Sequence, residues 1–63
     1  MSYQDLDAVL DLILQEKLLP KKNRVFTREL HDNPVQALAE RGLHLTADEL
    51  AQVLALPEVK GMS

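Results

Sequence analysis

Apolar residues recur along the first third of the chain at helical spacing. On a helix turning about 100° per residue, Tyr3, Leu6, Val9, Leu10, Ile13 and Leu14 share one broad face, with Asp7, Asp11 and Gln15 opposite. Ser2 is placed to cap this helix, and Asp5 stands in the position of a capping-box acid. Acidic residues crowd the early turns and Lys17 comes late, the order that the helix dipole favours. Pro20 stops the run, because the residue before a proline is pushed out of helical geometry. The pattern predicts a helix over 3–19, the longest of the chain.

A polar, basic link (PKKNR, 20–24) follows, and then a short helical turn with Phe26 and Leu30 at i, i+4 spacing. Asn33-Pro34 is an N-cap residue followed by proline at the first helical position, with Gln36 extending it toward a capping box. Val35, Leu38 and Ala39 then face one way, and Gly42 is placed to close the helix in the left-handed conformation. Thr46-Ala-Asp-Glu49 is a capping box, with Leu45 and Leu50 as its hydrophobic staple. Leu50, Val53 and Leu54 form the buried stripe of that last helix, and Pro57 ends it. No strand-like alternation and no internal repeat occurs. These signals predict an all-α fold, a small bundle of three to four short helices. Residues 1–57 form a single helical binding domain and 58–63 a short flexible tail. The expected core is Leu6, Leu10, Ile13, Phe26, Leu30, Leu38, Leu50 and Leu54.

Size makes this core important. Sixty-three residues bury only about 60% of their unfolded surface, and the chain has no cysteine, so neither disulfides nor thiolate metal sites can add stability. Thirteen leucines supply the apolar material, and a partner or a homodimer would add to it. The net charge of -3 argues against nucleic acid and against anionic membranes. No apolar run approaches the roughly 20 residues that span a bilayer. The acidic start MSYQDLDAVL lacks the basic opening of a secretion signal, so the expectation is a cytoplasmic protein.

Candidate chemistry is sparse. His31 and His44 are the chain's two imidazoles, and neither stands in a metal-binding HxxxH pair. A Ser-His-Asp arrangement, a glycine-rich phosphate loop and paired carboxylates with a reason to be buried are all missing. The chain reads as no enzyme, with no cofactor and no metal. The segment ALAERGLHLTADELAQVLAL suggests a helix-turn-helix. Its recognition helix, however, would open with Ala47, Asp48 and Glu49, whose carboxylates repel DNA, so a small DNA-binding regulator ranks only as the lesser alternative. Basic charge concentrates instead between residues 17 and 28, where Lys17, Lys21, Lys22, Arg24 and Arg28 fall. They form a candidate docking patch for an acidic protein surface. Leu12, off the main stripe of the first helix, is a candidate contact beside it.

One longer pattern runs from Phe26 to Leu56: F, three residues, L, then Asn33-Pro34, an apolar helix, Gly42-Leu43, and a helix capped by Thr46 and Glu49. It resembles the leader or binding domain of ribosomally made peptide-natural-product precursors of the borosin type. It is similar, too, to the small helical subunit of protocatechuate ring-opening extradiol dioxygenases. The first resemblance implies a leader domain held by a peptide-modifying biosynthetic enzyme; the second implies an accessory subunit whose larger partner carries the metal ligands. Here the loop reads Gly42-Leu43-His44-Leu45-Thr46, where the familiar form runs straight from GL into T. The expectation is a non-catalytic protein-recognition module.

Overall fold

The second helix is the hub of the structure, a computed structural model that describes residues 3–62. The elements run α1 (Tyr3–Lys17), a 3-10 turn (Lys21–Asn23), α2 (Val25–Asp32), α3 (Pro34–Glu40), α4 (Ala47–Leu54) and α5 (Pro57–Lys60). Helix α2 packs against α1, α3 and α5, and α5 in turn meets α4. Among the described residues every regular element is helical, so the all-α expectation holds. Of the five α-helices described, four are seven residues or longer, roughly as expected, and the fifth is a four-residue addition.

The extra helix is where the structure departs furthest from the sequence reading. Residues expected as a flexible tail form α5, with Pro57 at its first turn, and Val59 and Met62 are both buried. Backbone N–H groups of Val59 and Lys60 donate to the Leu56 carbonyl, so the proline that ends α4 also begins α5. The fold therefore runs through Met62, beyond the boundary expected at residue 57.

Helix α1 buries a stripe centred on Val9 and Ile13, with Leu6 and Leu12 packed at its sides. At 100° per residue Leu12 lies about 60° from Val9, whereas Leu14 lies about 140° away. Leu14 is accordingly 59% exposed, and Leu10 is half-buried. The stripe is rotated toward Leu12 because its C-terminal end is Glu16, which a hydrophobicity pattern excludes. The expected Ser2 cap and the Tyr3 side chain lie outside what the structure describes.

Glu16 explains why α2 is a full helix and not a single turn. Its Oε2 accepts from the Phe26 backbone N–H at 2.8 Å, and its Oε1 accepts from the Thr27 N–H at 2.8 Å and the Thr27 hydroxyl at 2.7 Å. These are the second and third residues of α2, whose N–H groups have no partner inside the helix. Arg24, the residue at the N-cap position, has no capping side chain to offer. Its guanidinium turns back instead: Nε donates to the Leu19 carbonyl and an Nη to the Lys17 carbonyl, both at 3.0 Å. That covers orphan carbonyls at the end of α1, which closes at Lys17 through tight bonds from Leu18 to Gln15 and from Leu19 to Glu16. Each helix thus supplies the cap of the other across the corner.

The remaining ends follow their local signals more closely. Gly42 has φ +67°, and the Leu43 and Gly42 N–H groups donate to the Leu38 and Ala39 carbonyls at 2.9 and 3.1 Å. This is the Schellman arrangement, in which a left-handed residue lets the chain double back on the helix end. Thr46 and Glu49 form the reciprocal capping box, at 3.2 Å for Glu49 N–H to the Thr46 hydroxyl and 2.9 Å for Thr46 N–H to the Glu49 carboxylate. Asn33 does precede α3, and its carbonyl accepts from the Ala37 N–H at 3.0 Å, but its side chain caps no backbone N–H; the amide donates to the Gln36 side chain at 2.8 Å. Across the α2–α3 angle, the Arg41 guanidinium lies 4.5 Å from the centroid of the buried Phe26 ring and donates to Glu29 at 2.9 Å.

The buried cluster has as many members as expected, but four of them differ. Val9, Ile13, Phe26, Leu30, Ala37, Leu38, Val53 and Val59 are buried together. Leu6, Leu50 and Leu54 pack against them while remaining partly open.

Candidate functional site

Val35, Leu38 and Ala39 do share one side of α3, but the face is only partly covered: Leu38 is buried in the core, while Val35 and Ala39 stand exposed. Val35 is 69% exposed. Together with Leu43, His44 and Leu45 from the following loop and Leu50 from α4, these residues line an open groove with a volume of about 220 Å³. Three local features hold it open. The Gly42 turn throws the loop back over α3, so Leu43 rises beside Leu38. The His44 backbone N–H then donates to the Asp5 carboxylate of α1 at 2.8 Å, tying the loop to the first helix. Finally, the Thr46 capping box fixes where α4 starts and thereby places Leu50.

Six of the seven lining residues are apolar, and the seventh contributes an imidazole. Small-molecule sites occupy about 300–1,000 Å³, so 220 Å³ is short of what a metabolite needs. It suits a single large side chain presented by another molecule. Among the described residues, no group of three or more His, Asp or Glu is placed to share a metal ion. His31 has its Nδ1 2.9 Å from Asp32 and stands at the end of α2, away from the groove lining.

The basic patch read from the sequence is divided by the fold. Arg24 is spent on the end of α1. Lys17 reaches Glu58 of α5 at 3.3 Å, a contact that helps hold the C-terminal helix in place. Hydrogen bonding to its own backbone N–H, and then the Lys17 ammonium, hold the Glu58 carboxyl below its ordinary range. Leu12, expected as an exposed contact, is half-buried against the core because the α1 stripe is rotated toward it. Lys21, Lys22 and Arg28 remain exposed and close in sequence, on the 3-10 turn and on α2.

Comparison with protein-family models, curated proteins and solved structures found no match. The groove and the exposed side chains therefore carry the functional argument. Sequence reasoning identified the groove's residues as helix faces and caps without recognising that they lie open to solvent. The signal that could have found it was the density of apolar residues between positions 35 and 50. Among the described residues, no helix is long and apolar enough to cross a membrane.

Proposed function

We propose that this chain is a non-catalytic protein-recognition module that seats an apolar side chain of a partner protein in the α3–α4 groove. The observation that carries the reading is the groove itself: an apolar helix face, closed at one end by the Gly42 loop and left uncovered at Val35. Anchors of this kind dominate binding where a large side chain fills a desolvated pocket. The exposed Lys21, Lys22 and Arg28 would steer an acidic partner toward the module and raise its association rate.

The class of partner proposed is a peptide-modifying biosynthetic enzyme, with this chain as the leader-type domain it holds. On that reading the folded module extends through Met62, since Val59 and Met62 are core residues, and any presented segment follows it.

The test is site-specific photo-crosslinking from position 35 in cells, followed by binding measurements on the identified partner. The expected result is one dominant adduct with an enzyme, its affinity reduced at least tenfold by Val35→Glu with no change in melting temperature. Lys21→Glu with Lys22→Glu should slow association and reduce its salt dependence. A partner that binds wild type and Val35→Glu equally would remove the groove from recognition. An adduct with a large oxidoreductase subunit would replace the leader reading by the accessory-subunit one.

A further inference from the structure

The apolar surface does not end at the groove but continues outward along both helices that flank it. On α4, Val53, Leu50, Leu54, Ala47 and Ala51 follow one another around the helix in steps of about 20–60°. Exposure rises in the same order: Val53 is buried, Leu50 and Leu54 are half-buried, and Ala47 and Ala51 are exposed. On α3 the buried Leu38 gives way in the same manner to the exposed Val35 and Ala39. Each helix offers an apolar slope climbing from the core to solvent. The groove shares Leu38 with one slope and Leu50 with the other.

Helix geometry also fixes the polar border of each slope. Gln36 and Glu40 stand about 60° and 100° beyond Ala39, and Asp48 and Gln52 stand about 60° and 100° beyond Ala51. All four are exposed. The two borders thus carry two carboxylates, two amides and no cation. Asp5 adds a third carboxylate, which accepts the backbone N–H of the groove-lining His44. Arg41, next to Glu40 in sequence, is directed to α2, where it lies over Phe26 and donates to Glu29; its approach to Glu40 is 3.9 Å.

We infer that the partner segment seated in the groove is an amphipathic helix with basic flanks, an inference that rests on the recognition reading above. Among the described residues every regular element is a helix, so there is no sheet edge for an extended segment to join. Ala39, Ala47 and Ala51 are small enough for a helix backbone to come close, while the groove takes the large side chain it presents. From Ala47 to Leu54 the α4 slope runs about 10 Å at 1.5 Å per residue. That length suits apolar anchors at i, i+4 and i+7. Lysine or arginine on either side of those anchors then meets Glu40 and Asp48. A second copy brings the wrong charge, since Leu14 on the open face of its α1 lies beside Asp7 and Asp11. An anionic lipid surface is repelled by the same border carboxylates. Lys21, Lys22 and Arg28 take no part in the lining, so the acidic surface they attract and the basic helix are different parts of one partner.

Two synthetic peptides of about 15 residues, long enough to hold helix in water, are the probes. Both carry leucines at i, i+4 and i+7, flanked by lysines in one and by glutamates in the other. Fluorescence anisotropy reads their binding to the full chain. The lysine peptide should bind at least fivefold tighter, with the preference shrinking as salt rises. Glu40→Gln with Asp48→Asn changes two exposed side chains, so it should leave the thermal melt intact and remove the preference. Asp7→Asn with Asp11→Asn makes the same change of net charge on α1 and should leave the preference in place. Ala51→Gln should weaken both peptides, Val35→Glu should abolish both, and a proline in the middle of the lysine peptide should abolish its binding. Equal affinities, a preference that tracks net charge alone, survival of binding in the proline peptide, or no binding at millimolar concentration would each overturn the basic helix. The groove reading fails separately. A natural partner that Val35→Glu releases, but whose cross-linked segment is extended or acidic, keeps the groove and removes the helix.

Discussion

Glu16→Ala tests the principal long-range polar contact of the fold. One carboxylate serves two backbone N–H groups and one hydroxyl on α2, and Thr27 is only 1% exposed. Removing it leaves donors that water cannot readily reach. Loss of a helix cap costs about 0.5–2 kcal/mol, and an unsatisfied buried donor about 1–3 kcal/mol. These terms overlap, since the cap and the donors are the same groups, so the expected loss is about 2–4 kcal/mol. A domain this small has roughly 3–5 kcal/mol in total. Loosening the first turn of α2 also loosens the helix on which α1, α3 and α5 all pack.

At about 4–8 °C per kcal/mol for a chain of this length, the midpoint should fall by about 8 °C or more, or the variant should be unfolded at room temperature. Thermal and urea melts followed by circular dichroism measure this directly. Glu16→Gln keeps one acceptor oxygen and should fall between wild type and Glu16→Ala. Thr27→Val removes the hydroxyl but not the buried N–H, so its own cost should be smaller, and the pair should be coupled in a double-mutant cycle. A Glu16→Ala stability within the ±0.5 kcal/mol of wild type that is typical of ordinary surface changes would refute the reasoning. The corner would then be held by Arg24 and packing alone.

Three further outcomes follow from the same geometry. Thr46→Ala removes half of the α4 capping box and should cost about 1 kcal/mol, read as a lower urea midpoint with an unchanged slope. Arg41→Ala loses the stacking on Phe26 and the contact with Glu29, an exposed arrangement worth about 0.5–1 kcal/mol for the cation–π part; Arg41→Lys should not restore it, because the planar group is what lies over the ring. The Glu58 carboxyl is held low in the folded state, so its contribution is present above its unfolded pKa near 4.5 and is lost as pH falls through the lowered folded value. Glu58→Gln should therefore melt slightly below wild type at pH 7 and together with it at pH 2, and equal offsets at both pH values would show that its charge does not matter.

What the sequence made legible was local. The Thr46–Glu49 box and the Gly42 stop each depend on residues within a few positions of one another, and both were placed correctly. The Asn33-Pro34 start was placed too, although the Asn33 side chain bonds to Gln36 instead of the backbone. Interactions between distant residues were not legible. Glu16 reaches across ten and eleven positions to cap α2, and Asp5 reaches across thirty-nine to hold the His44 loop. Neither spacing has a signature in a single chain, since a carboxylate on a helix is read as solvated unless its partner is known. The missed α5 has a related cause: a four-residue helix is too short to show a period, and Val59 and Met62 give no sign of the core they enter.

The same distinction bears on the candidate surfaces. Periodicity reports that Val35, Leu38 and Ala39 share a face, and it assigns that face to the core because most such faces are buried. Whether a face is covered depends on how many others the chain can bring to it. Here α2 takes its main neighbours from α1, α3 and α5, and α4 meets α5; Leu38 is buried against this core, while Val35 on the same side of α3 stays 69% exposed. Leu14 is open for the converse reason: rotation of the α1 stripe toward Leu12 and Glu16 turned it outward. A chain of sixty-three residues with thirteen leucines has more apolar surface than two thin layers of short helices can hide. Part of the excess is gathered into a groove bounded by a fixed loop, and part stands singly at Leu14, Leu18, Leu19 and Val25, so only the groove makes a shaped demand on whatever covers it.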